Sequence, residues 1–351
     1  FEATIRGSII FILLNEISNL DVKCPLSSLC KFSCESHQRA NIYLDGLSCI
    51  FLSIIPPYQL IFGLAPLVFL YCVWLWWDWE SPYKGGYASR YFLNLQVHKL
   101  CASYFPLKFH TTSELPMMRN YLIGMHPHGV CGMSAYHFMS NGTGLWDRFP
   151  KINFHTCTLV GNFWVPLRRE WLMLHGVINC SKESLRFVLG DSRKGQATLL
   201  VVGGAEEALD AHSGKHKLTL LKRKGFIKIA LETGAHLVPC FAFGENDVYM
   251  QASNKEGTLV RWMQTMVKKW WGVSPILFFG RGIFNYTFGF MPFRTPLNTV
   301  LGTPIPVEKV GHPTQIQIDE LHSLYIQRLT DLYEEHKEKY GIAADNHLII
   351  R

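Results

Sequence analysis

An uncharged and strongly apolar stretch runs from Leu47 to Trp77. Pro56 and Pro57 interrupt it where a re-entrant hairpin would turn, and Leu60 to Trp77 is borderline for a membrane span of about 20 residues. Tryptophans, which are enriched at the depth of the lipid headgroups, cluster at the end of this stretch. They are Trp74, Trp76, Trp77 and Trp79. The pattern predicts an N-terminal membrane hairpin, and a buried helix of a soluble domain is the alternative.

Beyond about residue 85, short apolar runs that end at Gly or Pro alternate with stretches of helical periodicity. The runs predicted as buried strands are Tyr121 to Met125, Ala197 to Val202, Leu237 to Phe243 and Ile276 to Phe279. Helices are predicted at Ser184 to Leu189, at Gly225 to Leu231, and from a capping box of Thr314 and Gln317 to Gly341. This alternation predicts an α/β fold with a largely parallel sheet flanked by helices.

These patterns divide the chain into three segments. Residues 1–46 are predicted to be a poorly ordered leader, residues 47–80 the membrane-embedded hairpin, and residues 81–351 the domain that carries any chemistry. Within the leader, Cys24, Cys30, Cys34 and His37 lack the tight Cys-x-x-Cys spacing of metal sites, so no metal is predicted.

The composition adds a preference for lipid contact. The chain is 48% hydrophobic and 17% charged, whereas about 25% of residues are charged in soluble domains. The net charge of +7 is spread in short basic runs, which favours a coenzyme or an anionic lipid surface and no nucleic acid. Ten cysteines without paired spacing indicate reduced thiols and a domain that faces the cytosol.

Two imidazoles come directly after the predicted strand Tyr121 to Met125, in the sequence His126-Pro127-His128-Gly129. Active sites of open α/β sheets gather at the carboxyl ends of strands. An imidazole there can take a proton from an alcohol that attacks a thioester, and Gly129 lets substrate or backbone come close. A structural loop and a metal-binding pair are the alternatives.

A second strand runs into a glycine turn with carboxylates, from Val201 to Glu207. It places Glu206 and Glu207 at the same edge of the predicted sheet. A carboxylate bonded to the far nitrogen of a histidine would hold its tautomer and stabilise the imidazolium. Solvated glutamates after a glycine turn are the alternative.

Together with several other motifs, these stretches resemble the type-2 diacylglycerol acyltransferase family, which also contains monoacylglycerol and wax-alcohol acyltransferases. The matching segments occur in order from about residue 60 to 340. They are Tyr104 to Pro106, His126 to Gly129, Gly161 to Phe163 leading to Pro166 and Arg168 to Glu170, Val202 to Glu207, Arg223 to Phe226, Val238-Pro239 leading to Phe243 to Asn246, Gly280 to Gly282, and His312 to Thr314.

The resemblance implies a glycerolipid acyltransferase-like fold at the endoplasmic reticulum membrane or the lipid-droplet surface, with residues 81–351 as the catalytic domain. Its general base is the second histidine, His128, with His126 and Gly129 in the same motif. The family carboxylate falls on Glu207, and Glu206 stands where the family usually has a small residue. The co-substrate is acyl-CoA, with no further cofactor.

The reaction implied is synthesis of triacylglycerol from diacylglycerol. A monoacylglycerol or a wax alcohol as acceptor is the alternative, and a non-catalytic lipid-droplet protein is a further one. A lipid hydrolase is disfavoured because no Gly-x-Ser-x-Gly elbow occurs in the sequence. Membrane lipids are expected partners, and a homo-oligomer is an alternative to a monomer.

Basic residues near these motifs are candidates for the phosphates of coenzyme A. Arg223 and Lys224 belong to a basic segment shortly after Glu207, and Arg168 lies two residues after Pro166. A surface that faces lipid headgroups is the alternative for the segment, and a pair with Glu170 is the alternative for Arg168 and Arg169. Lys268 to Trp271 has the basic-aromatic composition of a helix that lies on a membrane, and plain surface packing is the alternative.

Overall fold

The computed structural model describes residues 57–190, 192–255, 257–271, 275–284 and 286–351, with side chains from Gly63 onward. The chain divides into two units, Phe1–Trp77 and Asp78–Arg351. The predicted leader with its Cys24 to His37 segment, and residues 47–56 of the predicted hairpin, lie outside the described residues.

The described part of the first unit is one uncharged helix, α1 (Pro57–Trp77). The side chains of Leu67, Phe69 and Trp76 are more than half exposed. In the part of the chain that the structure describes, no helix combines the length and apolar character that crossing a membrane requires. The membrane hairpin stays a prediction.

The second unit is built on a mixed sheet. The described strands of this unit, in the main sheet and in two small ones, are β1 (Leu107–Thr111), β2 (Tyr121–His126), β3 (Asn153–Thr158), β4 (Val177–Asn179), β5 (Gln196–Val201), β6 (Lys217–Leu218), β7 (His236–Phe243), β8 (Met250–Gln251), β9 (Phe278–Phe279), β10 (Leu297–Leu301) and β11 (Ile349–Ile350). The main sheet has the order β1-β10-β7-β2-β5-β3-β4. Neighbouring strands in it are parallel except at the β10–β7 junction, so the predicted largely parallel α/β sheet is confirmed.

Helices precede and connect these strands. They are α2 (Arg90–Leu93), α3 (Gln96–Tyr104), α4 (Tyr136–Met139), α5 (Leu145–Arg148), α6 (Arg168–Leu174), α7 (Lys182–Leu189), α8 (Gly204–Ala208), α9 (Gly225–Thr233), α10 (Leu259–Trp271) and α11 (Gln315–His336). Thr314 and Gln317 form the predicted capping box of α11. This helix ends at His336, and a 3-10 turn over Glu338–Tyr340 leads to Gly341.

Strand β2 lies in the middle of the main sheet and is buried along its whole length. Its side chains alternate between two cores. Leu122 packs with the core that includes Tyr325 of α11, and Tyr121, Ile123 and Met125 pack with the opposite core around Phe138 and Trp146. At Gly124 a β-carbon would lie 2.0 Å from the Tyr325 hydroxyl, so the absent side chain lets α11 approach the strand.

One predicted strand is wrong. Ile276 to Phe279 contributes only β9, which pairs with β8 outside the main sheet. Its side chains are partly exposed, and Leu277 is 55% exposed. The apolar run therefore belongs to a small two-stranded sheet outside the main one, because strand-forming residues do not need to enter the core. Strands β2, β5 and β7 match their predicted runs to within a residue at each end.

Candidate active site

His126 and His128 point to different parts of the molecule although only Pro127 separates them. His126 continues the face of β2 that carries Leu122 and Gly124, is fully buried, and its Nε2 lies 3.1 Å from the Tyr325 hydroxyl. Burial lowers the pKa of His126 to about 3, so the ring is neutral. The structure therefore places His126 in the core beneath α11, where it supports the turn.

His128 lies at the wall of a cavity of about 760 Å³. Its Nδ1 is 3.0 Å from the carbonyl oxygen of Gly129. Because a carbonyl only accepts, Nδ1 carries the proton of the neutral ring and Nε2 keeps its lone pair. Burial is the main influence on the pKa of His128 and lowers it, which keeps Nε2 unprotonated at neutral pH. The ring is thus arranged to accept a proton.

Glu207 holds the main chain of the histidine turn. It is 2% exposed and lies in α8, directly after the glycine turn that ends β5. Its Oε1 accepts the N–H of His128 at 2.6 Å and its Oε2 accepts the N–H of Thr219 at 2.9 Å. The expected carboxylate–imidazole bond is therefore replaced by a carboxylate–main-chain bond, since Gly129 already occupies Nδ1. Burial raises the pKa of Glu207 to about 7, against the opposing effect of these hydrogen bonds.

Gly129 allows a second buried carboxylate to approach the turn. Its φ is +61°, and a β-carbon there would lie 2.6 Å from Cγ of Glu245. Glu245 is not among the site residues predicted from the sequence. The sequence pattern could have indicated it, because Phe243-Gly244-Glu245-Asn246 ends a predicted buried strand, as the histidine motif and the glycine turn with Glu207 do.

The cavity combines apolar and cationic walls. Its apolar lining includes Ala135, Met139, Leu172, Val177, Leu200 and Ile276, and its cationic side chains are Arg168, Arg223 and Lys268. Glu206 lines the same space and pairs with Arg223 at 3.6 Å and with Lys268 at 3.9 Å. An apolar chain and an anionic group can therefore be accommodated side by side.

The basic candidates separate into cavity and surface residues. Arg168 and Arg223 line the cavity, whereas Lys224 pairs with Asp319 at 2.7 Å on the surface and is not part of the lining. The neighbour of Arg168, Arg169, is buried and pairs with Asp78 at 2.8 Å and Glu170 at 3.0 Å. Lys268, which belongs to the predicted membrane-facing run, is a third cavity cation.

Comparison with known proteins gives extensive matches. The model of the Diacylglycerol acyltransferase family matches residues 59–351. The chain is 44% identical over 282 residues to 2-acylglycerol O-acyltransferase 1 of Bos taurus, covering 80% of this chain and 84% of the relative. It is 42% identical over 275 residues to Diacylglycerol O-acyltransferase 2 of Homo sapiens, covering 78% and 71%.

Another relative is 2-acylglycerol O-acyltransferase 3 of Homo sapiens, 40% identical over 296 residues, covering 84% of this chain and 87% of the relative. Among solved structures, the 1-acyl-sn-glycerophosphate (LPA) acyltransferase PlsC from Thermotoga maritima aligns with 77% of this chain and 96% of its own at 14% identity and a TM-score of 0.38. A TM-score this low supports no conclusion about this chain.

Proposed function

Because this chain belongs to the diacylglycerol acyltransferase family and is an acyltransferase, we propose that it transfers a fatty acyl group from coenzyme A to the free hydroxyl of diacylglycerol. The family membership confirms the resemblance drawn from the sequence motifs. The proposal goes further by naming the acceptor, and the observation that carries its chemistry is the free Nε2 of His128 at the cavity wall.

In the proposed reaction, Nε2 of His128 takes the proton of the acceptor hydroxyl as its oxygen attacks the thioester carbonyl. A bond forms between that oxygen and the acyl carbon, and the carbon–sulfur bond then breaks. The proton on the imidazolium passes to the leaving thiolate of coenzyme A. Glu207 keeps the turn in place through the His128 N–H, and the Gly129 carbonyl keeps the ring in the required tautomer.

Arg168, Arg223 and Lys268 are the proposed phosphate-binding residues for coenzyme A. Their side chains line the same cavity as His128, and arginine matches phosphate geometry well. Glu206 pairs with Arg223 and Lys268, so a phosphate that binds there competes with an internal carboxylate. Lys224 drops out of this set because it pairs with Asp319 away from the cavity.

The cellular setting is proposed as the endoplasmic reticulum membrane or the lipid-droplet surface, with the α/β unit on the cytosolic side. Exposed apolar side chains on α10, such as Trp262 at 61% and Trp270 at 78%, support lipid contact next to Lys268 and Lys269. The lipid acceptor could then enter the cavity without crossing water.

A monoacylglycerol acceptor is the second candidate, because two of the relatives above carry the name 2-acylglycerol O-acyltransferase. A wax alcohol is a third. The cavity lining offers each of these a similar apolar wall, so only a direct comparison of acceptors separates them.

The test measures product formation from labelled acyl-CoA in microsomes, with diacylglycerol, monoacylglycerol and a fatty alcohol offered side by side. We expect triacylglycerol as the main product and a loss of about 1,000-fold in kcat for His128→Ala. His347→Ala, at an exposed histidine outside the cavity, is the matched control and should retain full activity. Equal rates for the two variants would remove His128 from its role.

A further inference from the structure

Glu245 is a second buried carboxylate beside the catalytic turn, and it contacts the chain beyond His128. It begins the 3-10 helix Glu245–Asp247 at the end of β7 and is 2% exposed. Its Oε1 accepts the N–H of Met133 at 2.7 Å, and its Oε2 accepts the N–H of Ser134 at 2.8 Å as well as the Ser134 hydroxyl.

The same side chain also fills the space at Gly129. A β-carbon at Gly129 would lie 2.6 Å from Cγ and 2.7 Å from Oε1 of Glu245. Glu245 therefore touches both ends of the segment Gly129–Ser134, which begins directly after His128. Val130, Cys131 and Gly132 in the middle of this segment line the cavity.

The main-chain N–H groups in the middle of this segment are available as hydrogen-bond donors for a ligand. Within the described residues, the N–H groups of Val130, Cys131 and Gly132 make no hydrogen bond of good geometry to a protein acceptor, although residues 129–131 form a turn. Gly129 and Gly132 have φ values of +61° and +67°, and successive N–H groups in such bent backbone form anion-binding concavities. An acyl transfer develops negative charge on the carbonyl oxygen, which N–H groups of this kind stabilise.

Glu245 is held by donors rather than by a cation. Among the described residues, no ion pair reaches its carboxylate. Main-chain dipoles and one hydroxyl therefore stabilise its charge, and such an arrangement depends on accurate placement of the donors. Burial raises the pKa of Glu245 to about 7, and its hydrogen bonds with Ser134 and Met133 act in the opposite direction.

We propose that Glu245 is a positioning residue for acyl transfer, which fixes the segment Gly129–Ser134 so that the N–H groups of Val130 to Gly132 bind the oxyanion of the tetrahedral intermediate. The proposal rests on the proposed function of His128. It assigns to the end of β7 a role that complements Glu207, since Glu207 fixes the start of the turn and Glu245 fixes the segment after His128.

The test compares Glu245→Gln with the parent enzyme in steady-state acyl transfer. In glutamine, an NH2 group replaces one of the two carboxylate oxygens. It would face the N–H of Met133 or Ser134, so one attractive contact becomes repulsive. We expect kcat to fall about 100-fold, while KM values for acyl-CoA and for the acceptor change less than about twofold, because the cavity cations and apolar wall are untouched. Ser134→Ala removes only the hydroxyl donor and should lose much less, and Glu245→Asp, which keeps the charge, should recover part of kcat.

Cys131 provides a readout that does not need activity. Cys131 is a free cysteine at the cavity wall, and partial burial of its thiol, together with the nearby Glu245 carboxylate, raises its pKa. Glu245→Gln removes that charge, so iodoacetamide should label Cys131 several-fold faster at pH 7.5, while the labelling rates of the other thiols of the chain stay unchanged. Rates are measured by mass spectrometry of the detergent-solubilised full chain.

The outcomes distinguish the two proposals. Unchanged kcat and unchanged Cys131 labelling in Glu245→Gln would overturn the role of Glu245. A matched rise in both KM values with kcat retained would also overturn it, because the segment would then serve binding and not the reaction. If the parent enzyme itself transfers no acyl group, the proposed function fails, and Cys131 labelling still tests whether the charge of Glu245 lies beside this segment.

Discussion

The floor and the rim of the cavity are stabilised in different ways. The floor is formed by His128 and the segment Val130 to Gly132. Behind it, the buried carboxylates Glu207 and Glu245 accept hydrogen bonds from main-chain N–H groups. At the rim, Glu206 pairs with Arg223 and Lys268 at 3.6 and 3.9 Å, and the side chains of Arg223 and Glu206 are 44% and 43% exposed. Salt weakens exposed ion pairs but hardly affects buried main-chain contacts. The floor should therefore control kcat, and the rim should control KM for the anionic co-substrate.

The largest effect is expected at the floor, in the pH dependence of stability. The pKa of Glu207 is about 7 in the folded protein and 4.5 is its ordinary value, so the folded state binds more protons between these values. The contribution of Glu207 to stability is then fully present below pH 4.5 and is lost as pH rises from 4.5 through 7, by up to about 3 kcal/mol. Glu207→Gln should remove this part of the slope.

Urea unfolding of the solubilised protein, measured from pH 5 to pH 8.5, tests this expectation. Glu335→Gln, at a glutamate whose side chain is 73% exposed, is the matched surface control and should keep the parent slope. A Glu207→Gln variant with the full slope of the parent would show that the charge of Glu207 is accommodated without cost, contrary to the burial argument.

A smaller effect is expected from the cations of the rim. Arg223→Ala and Lys268→Ala should each raise KM for acyl-CoA about tenfold at low salt, with kcat changed little, because each removes one charged contact to phosphate. The increase should shrink as salt rises. Lys224→Ala is the matched control, since Lys224 pairs with Asp319 outside the cavity, and an equal effect in Lys224→Ala would contradict the division between cavity and surface cations.

The smallest effect is expected from Glu206. Its carboxylate occupies the two cations that the co-substrate needs, so Glu206→Gln should lower KM for acyl-CoA about threefold, which is the scale of an exposed ion pair. Kinetics at two ionic strengths check this result. A higher KM in Glu206→Gln would mean that Glu206 orders the cations instead of competing for them.

The sequence was a good guide where burial is continuous. Strand β2 was predictable because Tyr121 to Met125 are apolar on both faces, and the motif at its end located the cavity. Strand β3 was missed because polar residues such as His155 and Thr156 are buried within it, so its apolar alternation is hidden. Ile276 to Phe279 gave the opposite error. This apolar run was predicted to be a buried strand, but the structure leaves it partly exposed.

Within the site, residue types were predictable and contacts were not. Composition could not separate His126 from His128, because their difference depends on which face of β2 is covered by α11. The pairing of Glu207 with the His128 N–H depends on the geometry of the turns after β2 and β5, two strands that are neighbours in the sheet but far apart in sequence. The places of Lys224, which precedes α9, and Lys268, in α10, depend on tertiary packing, which the sequence pattern does not reveal.

The contact of Tyr325 with Gly124 and His126 has a consequence for biosynthesis. Its hydroxyl donates to the Gly124 carbonyl at 3.2 Å and lies 3.1 Å from the His126 ring, across 201 and 199 residues of chain. A ribosome that adds 5–20 residues per second needs roughly 10 to 40 s to cover that distance. Throughout that interval the nascent polypeptide carries its reactive turn without the tyrosine that closes the core below it. A polypeptide whose translation stops before Tyr325 is added therefore lacks this contact at the centre of its sheet, which makes it a target for quality-control proteases.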